Sequence, residues 1–413
     1  MYQNIFVYTN TNCRRRILDT KKLQLYFQKN KYSVVGSPQD ADIIIYVTCA
    51  YRNEITDSCL KKIQEFQTYN AKLIVAGCLP EIEKKKLQQI FSGDTISTKH
   101  INDIDTYFPK NNIKFSEITD ADAIVHQQKQ GNFIQSVEKK TMISDVKSRG
   151  AQFFVTHFLH PHLPLYLYPD NPDFYHVRIS GGCRGNCSYC GIKKAIGLLK
   201  SKPIQECIHD FKKGVEKGYK NIVITADDVG AYGLDHGTTF PKLLSKFLLI
   251  PGKYTISIQD FDPKWAVLYV DELEELFKDE RIKSINIALQ SGCERILNLM
   301  NRYSKIKKIK DALKRLQTSN KTMSFDMHVI LCFPTESYEE FTQTITFINH
   351  IGFDMGFIYR FSSKTGTKAE TIQPKVSSED IVKRFQDARR MLQANGYQVI
   401  TLSKNNFYTF YKQ

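Results

Sequence analysis

Along its first hundred residues the chain alternates short apolar runs with stretches whose apolar positions recur at helical spacing. Asn4 to Thr9, Ala41 to Thr48 and Ala71 to Ala76 read as buried strands, and Asp19 to Lys29 and Ile55 to Tyr69 between them as helices. This βαβαβ order predicts a three-layer α/β domain over residues 1–100, built on a parallel sheet with right-handed crossovers. Residues 101–175 lose the periodicity and hold His-Pro-His-Leu-Pro at 160–164 and Tyr-Pro-Asp-Asn-Pro at 168–172, which predicts a long linker. The alternation resumes at His176. Strands are expected at Val177 to Ser180, Asn221 to Ala226, Tyr254 to Ile258, Ser284 to Leu289, Ser324 to Leu331 and Met355 to Arg360, with helical patterns such as Ile204 to Lys217 and Tyr338 to Ile351 between them. Six β/α units over 176–375 predict an open (β/α)6 partial barrel. Residues 376–413 read as one short helix, about Ser378 to Asn395, an apolar stretch and an aromatic tail with Phe407, Tyr408, Phe410 and Tyr411.

Composition adds little to this picture: 413 residues, 42% hydrophobic and 24% charged, describe an ordinary globular chain and exclude a disordered or fibrous one. The net charge of +15 permits a polyanionic partner such as RNA without demanding one. Basic residues are scattered, and the short clusters Arg14-Arg15-Arg16, Lys84-Lys85-Lys86 and Lys305 to Lys310 read as solvated helix faces or turns ahead of a nucleic-acid groove. The apolar runs are short and interrupted, and Met1-Tyr2-Gln3-Asn4 lacks the form of a signal peptide, so a cytoplasmic protein with no membrane partner is expected. In that setting the ten cysteines are reduced, and clustered ones read as metal ligands rather than disulfide partners.

Cys183, Cys187 and Cys190 form Cys-x3-Cys-x2-Cys in the loop after the first barrel strand. Three thiolates so close suit three irons of a 4Fe-4S cluster; a zinc site would want a fourth His or Cys at similar spacing, and none follows. The fourth iron is then open to another ligand. Cys13, Cys49 and Cys78 stand far apart in sequence, yet each follows one of the N-terminal strands. In a parallel sheet those carboxyl ends share one edge, so the three thiols can converge on a second cluster; from the residues alone, buried structural cysteines are an equal reading. Cys59, Cys207, Cys293 and Cys332 have no such grouping and are assigned to the packed interior.

The Cys183 to Cys190 motif, with the aromatic Tyr189 before its last cysteine, resembles the signature of radical S-adenosylmethionine enzymes. Paired with an N-terminal three-cysteine domain, it is similar to the radical methylthiotransferases, which replace C–H by C–S–CH3 on tRNA adenosines or on a ribosomal protein. Cys13 with Asp19-Thr20, Thr48-Cys49 and Gly77-Cys78 match the N-terminal motifs of that family, and Ile179 to Cys183 with Gly197, Ser201 and Pro203 match the cluster segment. Thr225 to Asp235 resembles the branch acting on threonylcarbamoyladenosine in tRNA. Gln290-Ser291-Gly292 with Met300 and Arg302, Phe333-Pro334-x-Glu336 and Gly366-Thr367-x-Ala369 complete the series.

The resemblance implies two 4Fe-4S clusters and S-adenosylmethionine, with an electron donor of flavodoxin or ferredoxin type. The cluster on Cys183, Cys187 and Cys190 would generate a 5′-deoxyadenosyl radical, and Tyr189, Asp227, Asp228, Gln290 and Ser291 would meet the nucleotide cofactor. The cluster on Cys13, Cys49 and Cys78 would present sulfur. No residue is assigned as the catalytic acid or base, and helix capping after a strand is the alternative for Asp227 and Asp228. Departures also stand out. The tRNA enzymes carry a small β-barrel RNA-binding module after the barrel; with about forty residues past Lys375, that module is expected to be absent or cut down to a remnant. His328 and Cys332 replace the Asp and Gly before Phe333, and Thr335 the Gly after Pro334; Arg16 stands in place of Asn, and Ile196 in place of an Arg. His328 reads as packed or hydrogen-bonded rather than as a ligand. The expected activity is sulfur or methylthio insertion into an unactivated C–H bond, with a modified tRNA adenosine as substrate. A peptide or small metabolite, or a non-catalytic cluster-binding role, is the alternative.

Overall fold

The computed structural model describes residues 3–123, 174–403 and 407–412. These form two compact units: residues 3–123, 174–259 and 362–371 make the first, and 260–361, 372–403 and 407–412 the second.

The first unit opens with a five-stranded parallel sheet of β1 (Asn4–Tyr8), β2 (Ser33–Val34), β3 (Ile43–Thr48), β4 (Lys72–Gly77) and β5 (Asp94–Ser97), in the order β2-β1-β3-β4-β5. Every residue of β3 is buried because both faces are covered, which is why it reads as a continuous apolar run. Phe6, Ile44, Tyr46 and Val75 face helix α2 (Asn53–Phe66) through Cys59, Ile63 and Phe66. Ile5, Val7, Ile45 and Ile74 face helix α1 (Arg14–Lys29) through Leu23, Tyr26 and Phe27. The expected three layers are present.

Residues 101–123, the first part of the expected linker, pack into the first unit. Ile104, Phe108, Phe115 and Ile118 belong to the core on the α1 side, and Asp105 accepts hydrogen bonds from the Tyr26 hydroxyl at 2.8 Å and the Phe115 N–H at 3.2 Å. The segment ends in β6 (Asp122–Ala123), antiparallel to β7 (Phe174–Arg178). It escapes a periodicity reading because its apolar residues sit in short turns of 3-10 and α-helix rather than on one long face. The rest of the linker, 124–173, lies outside the described residues.

Still in the first unit, β7 pairs with β10 (Asn221–Thr225) and β10 with β11 (Thr255–Phe261), all parallel. Between β7 and β10 a two-stranded ribbon of β8 (Ser180–Gly181) and β9 (Lys200–Ser201) closes the base of the cysteine loop. The second unit continues with β12 (Ile282–Gln290), β13 (Ser324–Leu331) and β14 (Met355–Arg360), again parallel. These six parallel strands are the six expected, and they do not close into a barrel.

After helix α3 (Ser378–Ala394), the expected tail is instead a hairpin of β15 (Tyr397–Ser403) and β16 (Phe407–Lys412), with β16 antiparallel to β14. Its strand character comes from pairing with a distant edge, which no local pattern reports. The helix is fixed by Glu336, whose carboxylate accepts from the Cys332 N–H at 2.7 Å and from Arg384 at 3.1 Å. Among the described residues no helix is long and apolar enough to cross a membrane.

Two consequences are measurable. Phe115 is fully buried against the Tyr26 ring, so Phe115→Ala should cost about 3–5 kcal/mol in denaturant unfolding; a cost near zero would return this segment to linker status. Burial lifts the Glu336 carboxyl to about 7, against the opposing pull of the Cys332 N–H and Arg384. The folded form therefore holds this proton more tightly than the unfolded chain, whose value is about 4.3, and the stability it gives falls as pH rises through about 7. Glu336→Gln should flatten the slope of thermal midpoint against pH in that window.

Candidate functional site

Cys13, Cys49 and Cys78 meet at the carboxyl edge of the first sheet. Cys13 is the N-cap of α1, its N–H bound to the Thr11 hydroxyl at 3.1 Å. Cys49 and Cys78 directly follow β3 and β4, and Thr48 fastens the two strand ends together: its carbonyl accepts from the Cys78 N–H at 3.0 Å, its hydroxyl from the Leu79 N–H at 3.3 Å. Gly77 permits this approach, having φ +101° and a position where a Cβ would lie 2.3 Å from the Thr48 oxygen. The three thiols are near neighbours, with Cys49 acting on each of the other two. Cys49 is held well above the ordinary thiol range by these bonds and by burial. Cys13 and Cys78 are pulled down, first by the bond to Cys49, against burial, with the charges of Arg15 and Arg16 adding at Cys13 and that of Arg16 at Cys78.

The second triad sits in the loop between β8 and β9. Gly182 lies at φ +73° where a Cβ would be 1.9 Å from the Leu198 carbonyl, so only glycine lets the outgoing and returning chains touch. The Cys183 N–H then bonds the Gly197 carbonyl at 3.3 Å, and the Cys190 N–H bonds the Cys187 carbonyl at 3.1 Å in the turn that carries a half-buried Tyr189. The Gly185 N–H points at the Cys183 sulfur, 3.1 Å away, and a Cβ there would come within 3.2 Å of Cys183 Sγ and 3.8 Å of Cys187 Sγ. Asp228 Oδ2 is 3.9 Å from Cys183 Sγ; burial and then this carboxylate push the Cys183 thiol up to about 12. Burial and Cys187 raise Cys190. The Gly366 to Ala369 motif clasps the loop from outside, the Ala369 N–H bonding the Ser188 carbonyl at 2.8 Å.

Charged side chains join the two triads. Asp227 accepts from Arg15 Nε at 3.0 Å and, with its other oxygen, from the Gly182 N–H at 2.9 Å. Asp19 pairs with Arg16 at 2.9 Å and with Arg178 of β7 at 2.8 Å, while Arg178 also donates to the Arg15 carbonyl at 2.6 Å. Arg16 points Nη1 at Cys78 Sγ, 3.3 Å away. The cluster Arg14-Arg15-Arg16 is thus not a solvated face; Arg16 is 2% exposed. Consecutive arginines at the start of a helix were the available signal, but their partners lie more than 200 residues away. The lysines at 84–86 are exposed as expected.

Gln290 and Ser291 belong to the second unit. Gln290 ends β12 at φ +71°, half-buried. Ser291 spends its hydroxyl locally, accepting from the Cys293 N–H at 3.1 Å and sharing a 3.2 Å bond with Thr344. In the same unit Arg302 pairs with Asp262 at 3.2 Å, and His328 bonds the Asn286 amide at 3.3 Å between the rings of Phe357 and Tyr359. Cys59, Cys207, Cys293 and Cys332 are all buried.

Each triad offers three thiols outside any disulfide, and the nearby Cys59 turns its S–H to the Cys49 carbonyl at 3.3 Å. Among the described residues no His, Cys, Asp or Glu group is drawn round a single metal ion. Three cysteines with no fourth protein ligand fit a 4Fe-4S unit, whose irons occupy separate corners, better than a zinc ion.

Residues 177–348 match the radical SAM superfamily, and residues 6–97 match a family described as uncharacterized protein family UPF0004. The chain is 28% identical to a probable threonylcarbamoyladenosine tRNA methylthiotransferase of Methanocaldococcus jannaschii, over 86% of this chain and 75% of that protein. It is 27% identical to the ribosomal protein uS12 methylthiotransferase RimO of Caldicellulosiruptor saccharolyticus, over 97% of this chain and 88% of that one. Among solved structures it shares its fold with the radical S-adenosylmethionine methyltransferase TsrM of Kitasatospora setae, at TM-score 0.59 and 10% identity, covering 97% and 81% of the two chains.

Anaerobic reconstitution should load about eight irons per chain, and replacing Cys183, Cys187 and Cys190 by Ala should leave about half of them. Replacing Cys13, Cys49 and Cys78 should remove the other half. Iron and sulfide counting checks both.

Proposed function

We propose that this chain, an enzyme that joins a radical SAM domain to a UPF0004 domain, transfers a methylthio group to an unactivated carbon of a modified tRNA adenosine. S-adenosylmethionine and two 4Fe-4S clusters are its cofactors and, when bound, supply one-electron cleavage of a sulfonium, a hydrogen-abstracting radical and a sulfide. Cys183, Cys187 and Cys190 hold the cluster that meets S-adenosylmethionine; Cys13, Cys49 and Cys78 hold the one that presents sulfur.

The observation that carries this reading is Asp227. One of its oxygens takes a hydrogen bond from Arg15, two residues past Cys13, and the other takes one from Gly182, one residue before Cys183. A single side chain of 8% exposure thus sets the spacing between two thiol triads. Transfer between sites needs such fixed spacing, because misplacement by about 1 Å can cost about a hundredfold in rate. Asp227 is then a positioning residue. Asp228 and Tyr189, both in the first unit beside the Cys183 loop, are the groups for the polar parts of S-adenosylmethionine. Ser291 in the second unit, its hydroxyl engaged by the Cys293 N–H and Thr344, shapes the turn that follows Gln290.

The choice of an adenosine rests on the likeness of Thr225 to Asp235 to the threonylcarbamoyladenosine branch and on relatives of that name. The charge of +15 suits a polyanion. An electron donor of flavodoxin or ferredoxin type completes the reaction. A peptide substrate is the second reading, favoured by the likeness to a ribosomal protein uS12 methylthiotransferase over 97% of this chain.

With the enzyme reduced and supplied with S-adenosylmethionine, mass spectrometry of digested tRNA should show one CH2S increment on threonylcarbamoyladenosine. The Cys13, Cys49 and Cys78 to Ala variant should still form 5′-deoxyadenosine but make no such product. Unmodified tRNA beside a modified uS12 peptide would move the assignment to the second reading.

A further inference from the structure

We propose that Arg16 sets the reduction potential of the cluster on Cys13, Cys49 and Cys78, by donating an N–H to the Cys78 sulfur and holding a buried positive charge beside it. The inference rests on the reading that this triad binds a cluster.

Arg16 Nη1 is 3.3 Å from Cys78 Sγ and also donates to the Thr98 hydroxyl, which stands 3.7 Å from the same sulfur. The Arg16 side chain is 3% exposed, so water does not screen it. Its nearest counter-charge, Asp19, is shared: one carboxylate oxygen faces Arg16 at 2.9 Å and the other faces Arg178 at 2.8 Å. A carboxylate divided between two guanidiniums leaves part of the Arg16 charge uncompensated toward the thiols. The guanidinium stays protonated at any working pH, so the effect is a constant of the site rather than a switch.

A cluster on three thiolates becomes more negative by one charge when reduced. A hydrogen bond to a ligand sulfur and a nearby cation both favour that state, and both raise the potential. The sign suits the chemistry. Joining a carbon radical to a sulfide lone pair would form one two-electron C–S bond and leave one electron over, which the cluster on this triad would take up, and a cation at the sulfur site favours that uptake.

The test uses the full chain with Cys183, Cys187 and Cys190 changed to Ala, so that the remaining iron reports one site. Redox titration against dithionite with mediators, followed by electron paramagnetic resonance, gives the reduced-to-oxidised ratio at fixed ambient potential. Arg16→Gln should lower that ratio at least tenfold, or about 59 mV for a one-electron couple, with iron content unchanged. Arg16→Lys, which keeps the charge, should restore most of it. In the chain with Arg16 intact, labelling with 15N-arginine should give a nitrogen coupling to the reduced cluster that Arg16→Lys removes. Iron retained with an unchanged ratio overturns the proposal. Should Arg16→Gln lose its iron, the 15N coupling decides: present, it supports the proposal; absent, it overturns it. A chain with Arg16 intact that binds no iron at Cys13, Cys49 and Cys78 removes the premise instead, a failure distinct from the other two.

Discussion

A short run of buried charge holds the first unit together. Arg15, Arg16 and Asp19 occupy the first two turns of α1, directly after Cys13, and their partners Asp227 and Arg178 come from the strand region more than 150 residues later. Removing water from such groups costs several kcal/mol per ion, which is recovered only where each charge keeps a well-aligned partner. Asp19 bonded to Arg178 and Asp227 between a guanidinium and a backbone N–H meet that condition, while the second Asp19 oxygen faces Arg16 at 2.9 Å as an ion pair without hydrogen-bond alignment. Apolar packing would tolerate a small sliding of α1 over β7; these bonds do not. The positions of the two triads therefore follow from α1 being locked at its first turns.

Around this lock the backbone is shaped to bring chain ends close. Thr48 and Gly77 draw the ends of β3 and β4 together so that Cys49 and Cys78 emerge side by side, while Gly182 lets the cysteine loop fold back onto Leu198. After the loop, Ala195 enters the core of the first sheet, with Ile192 packed against it. The loop is thereby anchored at both ends, through β8 and β9 at its base and through this short helix on its far side. Thiol placement is thus a property of the whole unit, although the thiols themselves lie on loops.

Much of this was legible in the chain. Strands covered on both faces read as continuous apolar runs, and β13 and β14 coincide with the expected boundaries residue for residue. Spacing singled out the Cys183 triad because three cysteines within eight residues are a local fact. The Cys13 triad needed the topology as well, since only a parallel sheet gathers three distant strand ends. What escaped has a common cause. β2 is two residues long, residues 101–123 are held by scattered contacts, and the pairing of β16 with β14 spans some fifty residues, so none leaves a period to count. The arginines at 14–16 were misread for the same reason: composition announces their charge, and only the folded chain supplies Asp19 and Asp227.

The two triads differ most in the electrostatics around their sulfurs. Burial and Asp228 keep Cys183 protonated, whereas Arg15 and Arg16 help hold Cys13 down and Arg16 helps at Cys78, with Cys49 keeping the proton of that set. Iron binding expels the protons that such thiols hold. The Asp228 carboxylate beside Cys183 disfavours an added electron there, with the Lys193 cation opposing it, and the Arg16 guanidinium beside Cys78 favours one. One fold thus sets unlike charges beside its two cysteine triads, a carboxylate at one and a guanidinium at the other. That separation is what a pair of sites needs if one is to give up an electron and the other to accept one.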